Sequence, residues 1–320
     1  MTLTITHTHA EGTIIHGTSR NDGSGDILKA HRWRWGRSIT AWYIPHSRDR
    51  LPNTYAINRT ADALRAAGHT VALNIDASFR PAAEVEADKA ARAADRADAL
   101  DAKAERKAAD AAVADAAYER AHQALPEGGE PIHVGHHSER RHRNAIERAH
   151  RTLGRSVQAD KDAVRAVERA AIARDATDRR NAPVTVANRI DRLAAEIRDY
   201  TRRLDGHTRN PGSPYREEIP AATGDYRDRL TVMRAEAEDQ YAHWSAVRAQ
   251  QIADGLTIDA SRDIIKPGDL VRIKGRDWEV VAKVNAKTLD VATPHMPWPL
   301  RYTYGEVTAH KSATAAAAAG

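Results

Sequence analysis

The segment between Pro81 and Pro126 contains neither glycine nor proline and is built mostly of Ala, Asp, Glu, Arg and Lys. Because no helix breaker interrupts it and alanine is the best helix former, this segment predicts one long helix. Its apolar residues recur at intervals of three or four, with Lys107 interrupting: Ala90, Ala93, Ala97, Leu100, Ala104, Ala111, Ala114 and Tyr118. The pattern predicts a narrow row of alanines that packs against an antiparallel helix, with the charged residues in solvent.

Three more helices are predicted after Pro126. Ser138 is a predicted N-cap. The helix that it opens carries one apolar row, weakened at Gly154: Ile146, Leu153, Val157, Val164, Val167 and Ala171. Pro183 begins the next helix, and the last one spans about Asp225 to Asp254. In all three the apolar residues repeat at the spacing of helices that bury one side.

Strand patterns flank the helical region. Residues 1–80 predict a small α/β module with these elements: Thr2–Thr6 paired with Gly12–His16, a short helix Ile27–Ala30, Arg32–Trp35 paired with Ile39–Pro45, a helix Tyr55–Ala67 and a strand Thr70–Ile75. Residues 262–310 predict a small SH3-like β-barrel with strands at Leu270–Ile273, Trp278–Val281 and Thr288–Ala292, and residues 311–320 a disordered tail. Residues 81–256 form the long Ala-rich, coiled-coil-like middle, with a His- and Arg-rich motif at 133–143. The predicted fold class is therefore α+β, in several domains.

Composition excludes several classes of protein. The chain of 320 residues has no cysteine, which rules out disulfides, thiolate zinc sites and thiol catalysis. It has one Phe and three Met, so we expect small local cores. No phosphate-binding Gly-rich loop with Lys, Gly-x-Ser-x-Gly elbow or His-Glu-x-x-His helix is present, and no cofactor is predicted. The first residues lack a signal-peptide pattern, and no apolar run is long enough for a membrane span, so a cytoplasmic location is expected.

Two segments resemble a known family. The first runs from His7–Thr13 to Trp42–Arg50, and the second is Pro131–Arg143. They resemble a bacterial domain-of-unknown-function family, number 3560, common in actinobacteria and in their plasmids and phages. The resemblance covers most of residues 1–200. It implies no established activity, so it assigns no catalytic residue.

Two looser likenesses concern the ends of the chain. The N-terminal module is similar to the HARP-like domain of annealing helicases, in which a tryptophan-bearing strand also precedes a Trp-Tyr-x-Pro strand and a helix. That likeness implies DNA contact without catalysis. The C-terminal unit resembles the SH3-like modules of ribosomal and transcription proteins, which is a likeness of fold alone.

The segment Gly135–Arg143 is the first candidate site. A helix start attracts anions through its free N–H groups and its dipole. Basic residues in the first turn oppose that dipole, at about 0.3–1 kcal/mol each. An anion would offset this cost, so these residues are candidate phosphate ligands: His136, His137, Arg140, Arg141 and Arg143. In an alternative interpretation, their side chains bridge to Asp and Glu of neighbouring helices.

A metal site is a further alternative for the same segment. Its donors would be His133, His136, His137, Glu139 and His142, which suit zinc or manganese. Glu139 and His142 have the interval of two ligands on one helical face, and His133 with His136 could join them from the extended segment before the helix. The spacing matches no recognised metal motif on a helix.

His7 and His9 lie two residues apart on a predicted strand and therefore face the same side. Such a pair binds metal in nucleases of the relaxase type, which also need a tyrosine on a helix, here Tyr55. Thr8 replaces the usual hydrophobic residue between the histidines. A solvent-facing strand edge is the favoured interpretation.

Aromatic and basic residues alternate in the Trp-bearing strands. Trp33 and Trp35 share one face of their strand, Arg32 and Arg34 share the other, and Arg37 follows. Trp42 and Tyr43 lie on the partner strand. Bases that stack on such aromatics gain about 1–3 kcal/mol each. The module has few other large apolar residues, so some of the tryptophans are expected to serve its core.

Three functions follow from these features. The first is a nucleic-acid-associated accessory protein of a mobile element, which binds phosphates, DNA more than RNA, without catalysis. In it the long helices serve as spacer or dimer interface, and no membrane is involved. The net charge of +5 favours this only slightly. The second is a metal-dependent nuclease or phosphoesterase that uses the histidines at 133–142. The third is a scaffold that binds a protein partner through its Ala-rich helices.

Overall fold

The computed structural model describes residues 2–126, 129, 131–273, 275–293 and 296–313. The chain divides into two compact units: unit 1 comprises residues 1–87 and 182–320, and unit 2 comprises residues 88–181. The fold is α+β, as predicted, with a long helical middle and strand-rich regions towards both ends. None of the helices in the described part is long and apolar enough to cross a membrane. Most of the predicted disordered tail, from residue 314 onward, lies outside the described residues.

Unit 1 begins with a five-stranded sheet. Its strands are β1 (Thr2–Thr8), β2 (Gly12–His16), β3 (Arg34–Gly36), β4 (Ala41–Tyr43) and β5 (Thr70–Ile75), in the order β3-β4-β2-β1-β5. β5 is parallel to β1, and the other pairs are antiparallel. Helices α1 (Ser24–Ala30) and α2 (Thr54–Ala66) contribute to its core, with these buried residues: Leu3, Ile5, Ile15, Leu28, Trp33, Ile57, Ala61, Leu64 and Val71. The elements predicted for this module are found, but β3 begins at Arg34 and not at Arg32, which has a left-handed backbone (φ 66°). Trp33 and Arg32 therefore do not share strand faces with Trp35 and Arg34, as was predicted.

Unit 2 is an antiparallel pair of long helices. α3 (Ala82–Gln123) enters it from unit 1, α4 (Glu139–Arg174) runs back, and the short α5 (Ala176–Arg180) follows. The helices meet through Arg174 Nε, 3.8 Å from Asp101 Oδ1, and Ser156 Oγ, 3.4 Å from Asp115 Oδ1. Their core is small: Leu100, Ala104, Ala166 and Ala170. α4 continues through Gly154, and the Ser138 side chain makes no capping bond, although it stands at the predicted position.

The apolar row predicted on α4 is not the face that α4 buries. Leu153, Val157, Val164 and Val167 are 42%, 43%, 58% and 52% exposed. The buried residues of α4 are all small: Ala149, Ser156, Ala166 and Ala170. The physical reason is that α3 presents alanines, of which Ala97, Ala104 and Ala111 are buried seven residues apart. Small residues therefore meet small residues, and the larger ones remain outside.

Unit 1 resumes with a helical hairpin. α6 (Pro183–Asp205) and α7 (Gly224–Ala253) confirm the two predicted helices, and the loop between them contains an unpredicted two-stranded ribbon, β6 (His207–Arg209) with β7 (Glu217–Ile219). The core of the hairpin is Val186, Leu193, Ala237 and Trp244. The Arg189 guanidinium lies over the Trp244 ring, 3.9 Å from its centroid.

Five strands form the C-terminal sheet: β8 (Leu270–Ile273), β9 (Trp278–Val284), β10 (Thr288–Ala292), β11 (Leu300–Thr303) and β12 (Val307–Lys311). Their order is β11-β10-β9-β8-β12, and a 3-10 helix, Tyr304–Glu306, precedes the last strand. The pattern predicted the first three strands and missed β11 and β12. Within the described range β11 and β12 do not pair, so the sheet is open and the predicted closed barrel is not found; an SH3-like fold stays a prediction.

Replacing Trp244 by alanine tests the packing of α6 on α7. Trp244 is 2% exposed, so the truncation should lower the free energy of unfolding by about 3–5 kcal/mol. Trp298→Ala is the control, because Trp298 is 62% exposed and its loss should change stability by no more than about 0.5 kcal/mol. Chemical denaturation of both variants measures the difference. Equal effects would show that Trp244 is not a core residue.

Candidate nucleic-acid interface

A cleft of about 830 Å³ lies in unit 2, where α3 ends and α4 begins. Ala124 and Pro126 line it after the end of α3, and the first turns of α4 line it on the other side. Its basic lining residues are His133, His137, Arg140, Arg141, His142 and Arg148. Those of its lining residues that the structure describes include no Asp or Glu. The described wall of the cleft therefore gathers basic side chains and no carboxylate.

Arg140 and Arg141 are the central cations of this cleft. Both are exposed, and no carboxylate of the described residues lies within 4.0 Å of either guanidinium. Neutralisation within the chain, the alternative weighed from the sequence, is therefore not observed for these two arginines among the described residues. Their positions in the first turn of α4 set them beside the free N–H groups and the positive end of the helix dipole.

Arg143 behaves differently. Its Nε donates to Glu139 Oε1 at 2.8 Å, while the N–H of Gly135 donates to Glu139 Oε2 at 2.7 Å. These two bonds hold the pKa of the Glu139 carboxyl below its ordinary value, and the bond from Gly135 has the larger effect. Arg143 was predicted to contact phosphate, but its charge is offset within the chain. Glu139 instead closes the turn that leads into α4 and supplies the negative charge that this helix end favours.

The histidines of the segment form an exposed cluster. His136 Nδ1 is 2.7 Å from Ser138 Oγ, and the His136 and His137 rings lie 4.0 Å apart between centroids. The His133 ring is 6.2 Å from that of His136. Across the described part of the chain, no three residues of His, Cys, Asp and Glu are placed to hold a metal ion. The set proposed from the sequence, which adds Glu139 and His142, is not arranged as a metal site.

Arg148 belongs to the cleft but was not singled out from the sequence. It follows Arg141 by seven residues, two helical turns, so the two side chains lie on one face of α4. This spacing was visible in the sequence. Arg148 was not predicted because the effect of the helix dipole is confined mainly to the first turn of α4.

A second surface lies in unit 1, around the Trp-bearing strands. Trp33 is buried and its Nε1 donates to Thr60 Oγ1 at 3.1 Å, so its ring belongs to the core and cannot stack on a base. Trp35, by contrast, is 47% exposed. Its ring lies 5.8 Å from that of Trp42, at 70°. The two rings form a corner, in which a planar ligand stacked on one ring would meet the edge of the other.

This corner is part of a pocket of about 420 Å³ that a short loop completes. The carboxylate of Asp22 accepts hydrogen bonds from the N–H groups of Ser19 and Ser24, at 2.7 and 2.9 Å, and fixes the loop. Arg20 and Lys29 also line the pocket, with the polar residues of the loop and with Asp26, which pairs with Lys29. The sequence gave no sign of a pocket here.

The predicted arginines of this module remain in solvent. Arg32, Arg34 and Arg37 are all exposed, and none has a carboxylate within 4.0 Å in the described ranges. Arg34 lies opposite Tyr43 on the neighbouring strand. The module thus carries three exposed arginines without a carboxylate partner in the described ranges, and none of them lines the pocket at the aromatic corner.

The favoured interpretation of His7 and His9, a solvent-facing strand edge, is wrong. They are 1% and 4% exposed. His7 Nδ1 lies 2.8 Å from Thr13 Oγ1, and His9 Nε2 lies 3.5 Å from Glu236 Oε1 on α7. In β1 the buried positions alternate, so His7 continues the inward side of Leu3 and Ile5. Tyr55, the suggested nucleophile, is 73% exposed, whereas both histidines are buried.

Comparison with known proteins supports one expectation in part. A family model described as a domain of unknown function, DUF3560, matches residues 88–208. The match includes the motif at 131–143 but not the N-terminal segment that was also expected to carry the resemblance. Searches of curated proteins and of solved structures found no match for the chain.

The burial of His7 predicts a pH dependence of stability. Burial, the largest cause, lowers the pKa of His7 below the ordinary 6.5. The unfolded chain therefore binds a proton at a higher pH than the folded chain, so the free energy of unfolding should fall as pH drops below about 6.5. Denaturation at pH 7.5, 6.5 and 5.5 should show a shallower dependence for His7→Gln. His16→Gln, at an exposed site on β2, is the control; equal slopes for His7→Gln and the unchanged protein would contradict the prediction.

Proposed function

We propose that this protein binds nucleic acid through phosphate contacts, without catalysis. The observation that carries the proposal is the cleft at the start of α4, which has six basic residues and no carboxylate among its described lining residues. A ligand that suits it must be anionic. Its several cations favour a ligand with repeated negative charge over a single small anion.

Phosphate is the anion that these groups suit best. Arginine presents a planar fork of N–H donors that matches a phosphate, and a helix start adds free backbone N–H groups and a positive dipole end. On a nucleic-acid backbone each neutralised phosphate releases counterions, which makes such binding depend steeply on salt.

The corner of Trp35 and Trp42 supplies a contact of another kind. A base that leaves the stack of a duplex can lie on an exposed indole, while Arg20, Arg34 or Arg37 meets the backbone. DNA is the favoured nucleic acid, since the N-terminal module is similar to a HARP-like domain, and the likeness to a plasmid and phage family favours a mobile element. Because the C-terminal unit resembles the SH3-like modules of ribosomal and transcription proteins, we also expect the C-terminal sheet to be such a module.

Replacing Arg140 and Arg141 by alanine is the direct test. The double variant should bind a labelled oligonucleotide roughly tenfold or more weakly, because hydrogen bonds to charged groups are worth about 1.5–3 kcal/mol each. The slope of log K against log[salt] should become shallower by about two, since each phosphate that an arginine no longer neutralises lowers it by about one. Fluorescence anisotropy at several salt concentrations measures both quantities.

Arg155→Ala with Arg169→Ala is the matched control. It removes the same charge from exposed positions on α4 that do not line the cleft. If both double variants lose affinity equally, the effect is one of net charge and the cleft is not the site. Absence of binding by the unchanged protein at low salt would refute the proposal. Cleavage of the oligonucleotide with added manganese would favour the nuclease alternative.

The aromatic corner gives a separate prediction. Trp35→Ala should weaken binding of single-stranded DNA by about 1–3 kcal/mol, roughly five- to 150-fold, and should leave duplex binding nearly unchanged, since paired bases are not free to stack. Trp35→Phe should restore most of the affinity. Trp298→Ala removes an indole that is 62% exposed elsewhere and should change neither affinity. A loss that is equal for single strands and duplexes would exclude stacking.

A further inference from the structure

The pocket between the Trp35–Trp42 corner and the loop of residues 18–25 is small and has two unlike walls. Its volume of about 420 Å³ lies near the lower end of the range for small-molecule sites, roughly 300–1,000 Å³. Trp35 and Trp42 are paired in register on β3 and β4 and form the apolar wall, whereas the loop forms the polar wall. Asp26 and Lys29 also line the pocket and pair with each other at 2.9 Å, so together they add little net charge. A ligand that fills the pocket therefore combines one flat apolar face with a polar edge.

The angle between the two indoles limits the site to one base. Their rings are inclined at 70°, with 5.8 Å between the centroids. Successive bases of a stacked strand are roughly parallel, so two rings at this angle cannot each stack on a base of the same run. Trp35, which is 47% exposed, offers the face for stacking, and Trp42 is half-buried beside it. A groove that follows a long single strand needs a series of stacking platforms, whereas the lining described for this pocket has these two rings alone.

The loop itself does not suit a phosphate. The Asp22 carboxylate accepts hydrogen bonds from the N–H groups of Ser19 and Ser24, and from Ser24 Oγ at 2.6 Å. Negative charge therefore already lies where these donors converge. Arg20 is the exposed cation on the rim, and no carboxylate of the described residues lies within 4.0 Å of its guanidinium. The arrangement favours a base inside the pocket and its phosphate outside, beside Arg20.

We propose that this pocket binds one unpaired nucleotide of a DNA strand, at a strand end or where a base leaves the duplex, and not a single-stranded run. The base stacks on Trp35, its edge meets Trp42 and the polar loop, and its phosphate lies at Arg20. This inference rests on the proposed nucleic-acid binding and adds the form of DNA that the N-terminal module recognises. Taking a base out of a duplex costs least where that base is already unpaired, so strand ends are the preferred ligands.

Duplexes that differ only in the number of unpaired nucleotides at one end test the inference. Relative to the blunt duplex, one overhanging nucleotide should strengthen binding by the full chain roughly five- to 150-fold, the effect of one stacked base. Three more nucleotides should together add less than about twofold, because a single base fills the pocket. An overhang of one abasic nucleotide should bind like the blunt duplex, since it carries the phosphate without the base. Fluorescence anisotropy measures each affinity.

Variants of the pocket locate the effect. Trp35→Ala should remove the gain from the single nucleotide and leave binding of the blunt duplex unchanged, and Trp35→Phe should keep most of the gain. Arg20→Ala should reduce the gain and make the slope of log K against log[salt] for the overhang shallower by about one. Arg59→Ala is its matched control, because Arg59 is exposed on α2 and does not line the pocket. Circular dichroism shows that the variants remain folded.

Two outcomes would overturn the inference and leave the proposed function intact. Affinity that rises with every added nucleotide up to four would indicate a groove for a single-stranded run. Equal affinity of the blunt duplex and the single overhang would show that the pocket takes no base. Absence of binding by every duplex at low salt is a different result, which would refute the proposed function and this inference with it.

Discussion

Packing between small residues is the constraint on which the structure of unit 2 depends. The buried face of α3 consists mostly of alanines, so only a helix face that also carries small residues can pack closely against it. The buried residues of α4 are such a set: Ala149, Ser156, Ala166 and Ala170. Each buried alanine removes little apolar surface from water, so the hairpin gains little from each pair of residues that it packs. The larger residues of α4 are displaced to another side of the helix. The same choice of residues therefore explains both the weak core and the exposed apolar row of α4.

The charged residues at the start of α4 also fall into two groups, those that pair within the chain and those that remain exposed. Glu139 satisfies the N–H of Gly135 and the guanidinium of Arg143, which compensates one cation and orders the turn. Arg140 and Arg141 have no such partner among the described residues, and they oppose the helix dipole. Within residues 140–143, the charge of one arginine is therefore compensated by a carboxylate, and the other two arginines have no carboxylate partner among the described residues. One side of the turn is structural, and the other carries two exposed arginines.

The sequence predicted the elements better than it predicted which side of each is buried. The helix boundaries were predicted from Pro and Gly, and the strands of the N-terminal sheet were predicted from the alternation of apolar residues. The structure contains these helices and strands. β11 and β12 were missed because their residues, such as Arg301 and Tyr302, do not alternate clearly, and pairing with β10 and β8 decides their structure. His9 was misread because it meets Glu236 of α7, and a contact between residues 227 positions apart leaves no local pattern. His7 continues the inward side of β1 after Leu3 and Ile5, which the alternation of that strand could have indicated. Arg148 was accessible to reasoning from helical spacing, whereas the pocket beside Trp35 depends on a loop geometry that no spacing reveals.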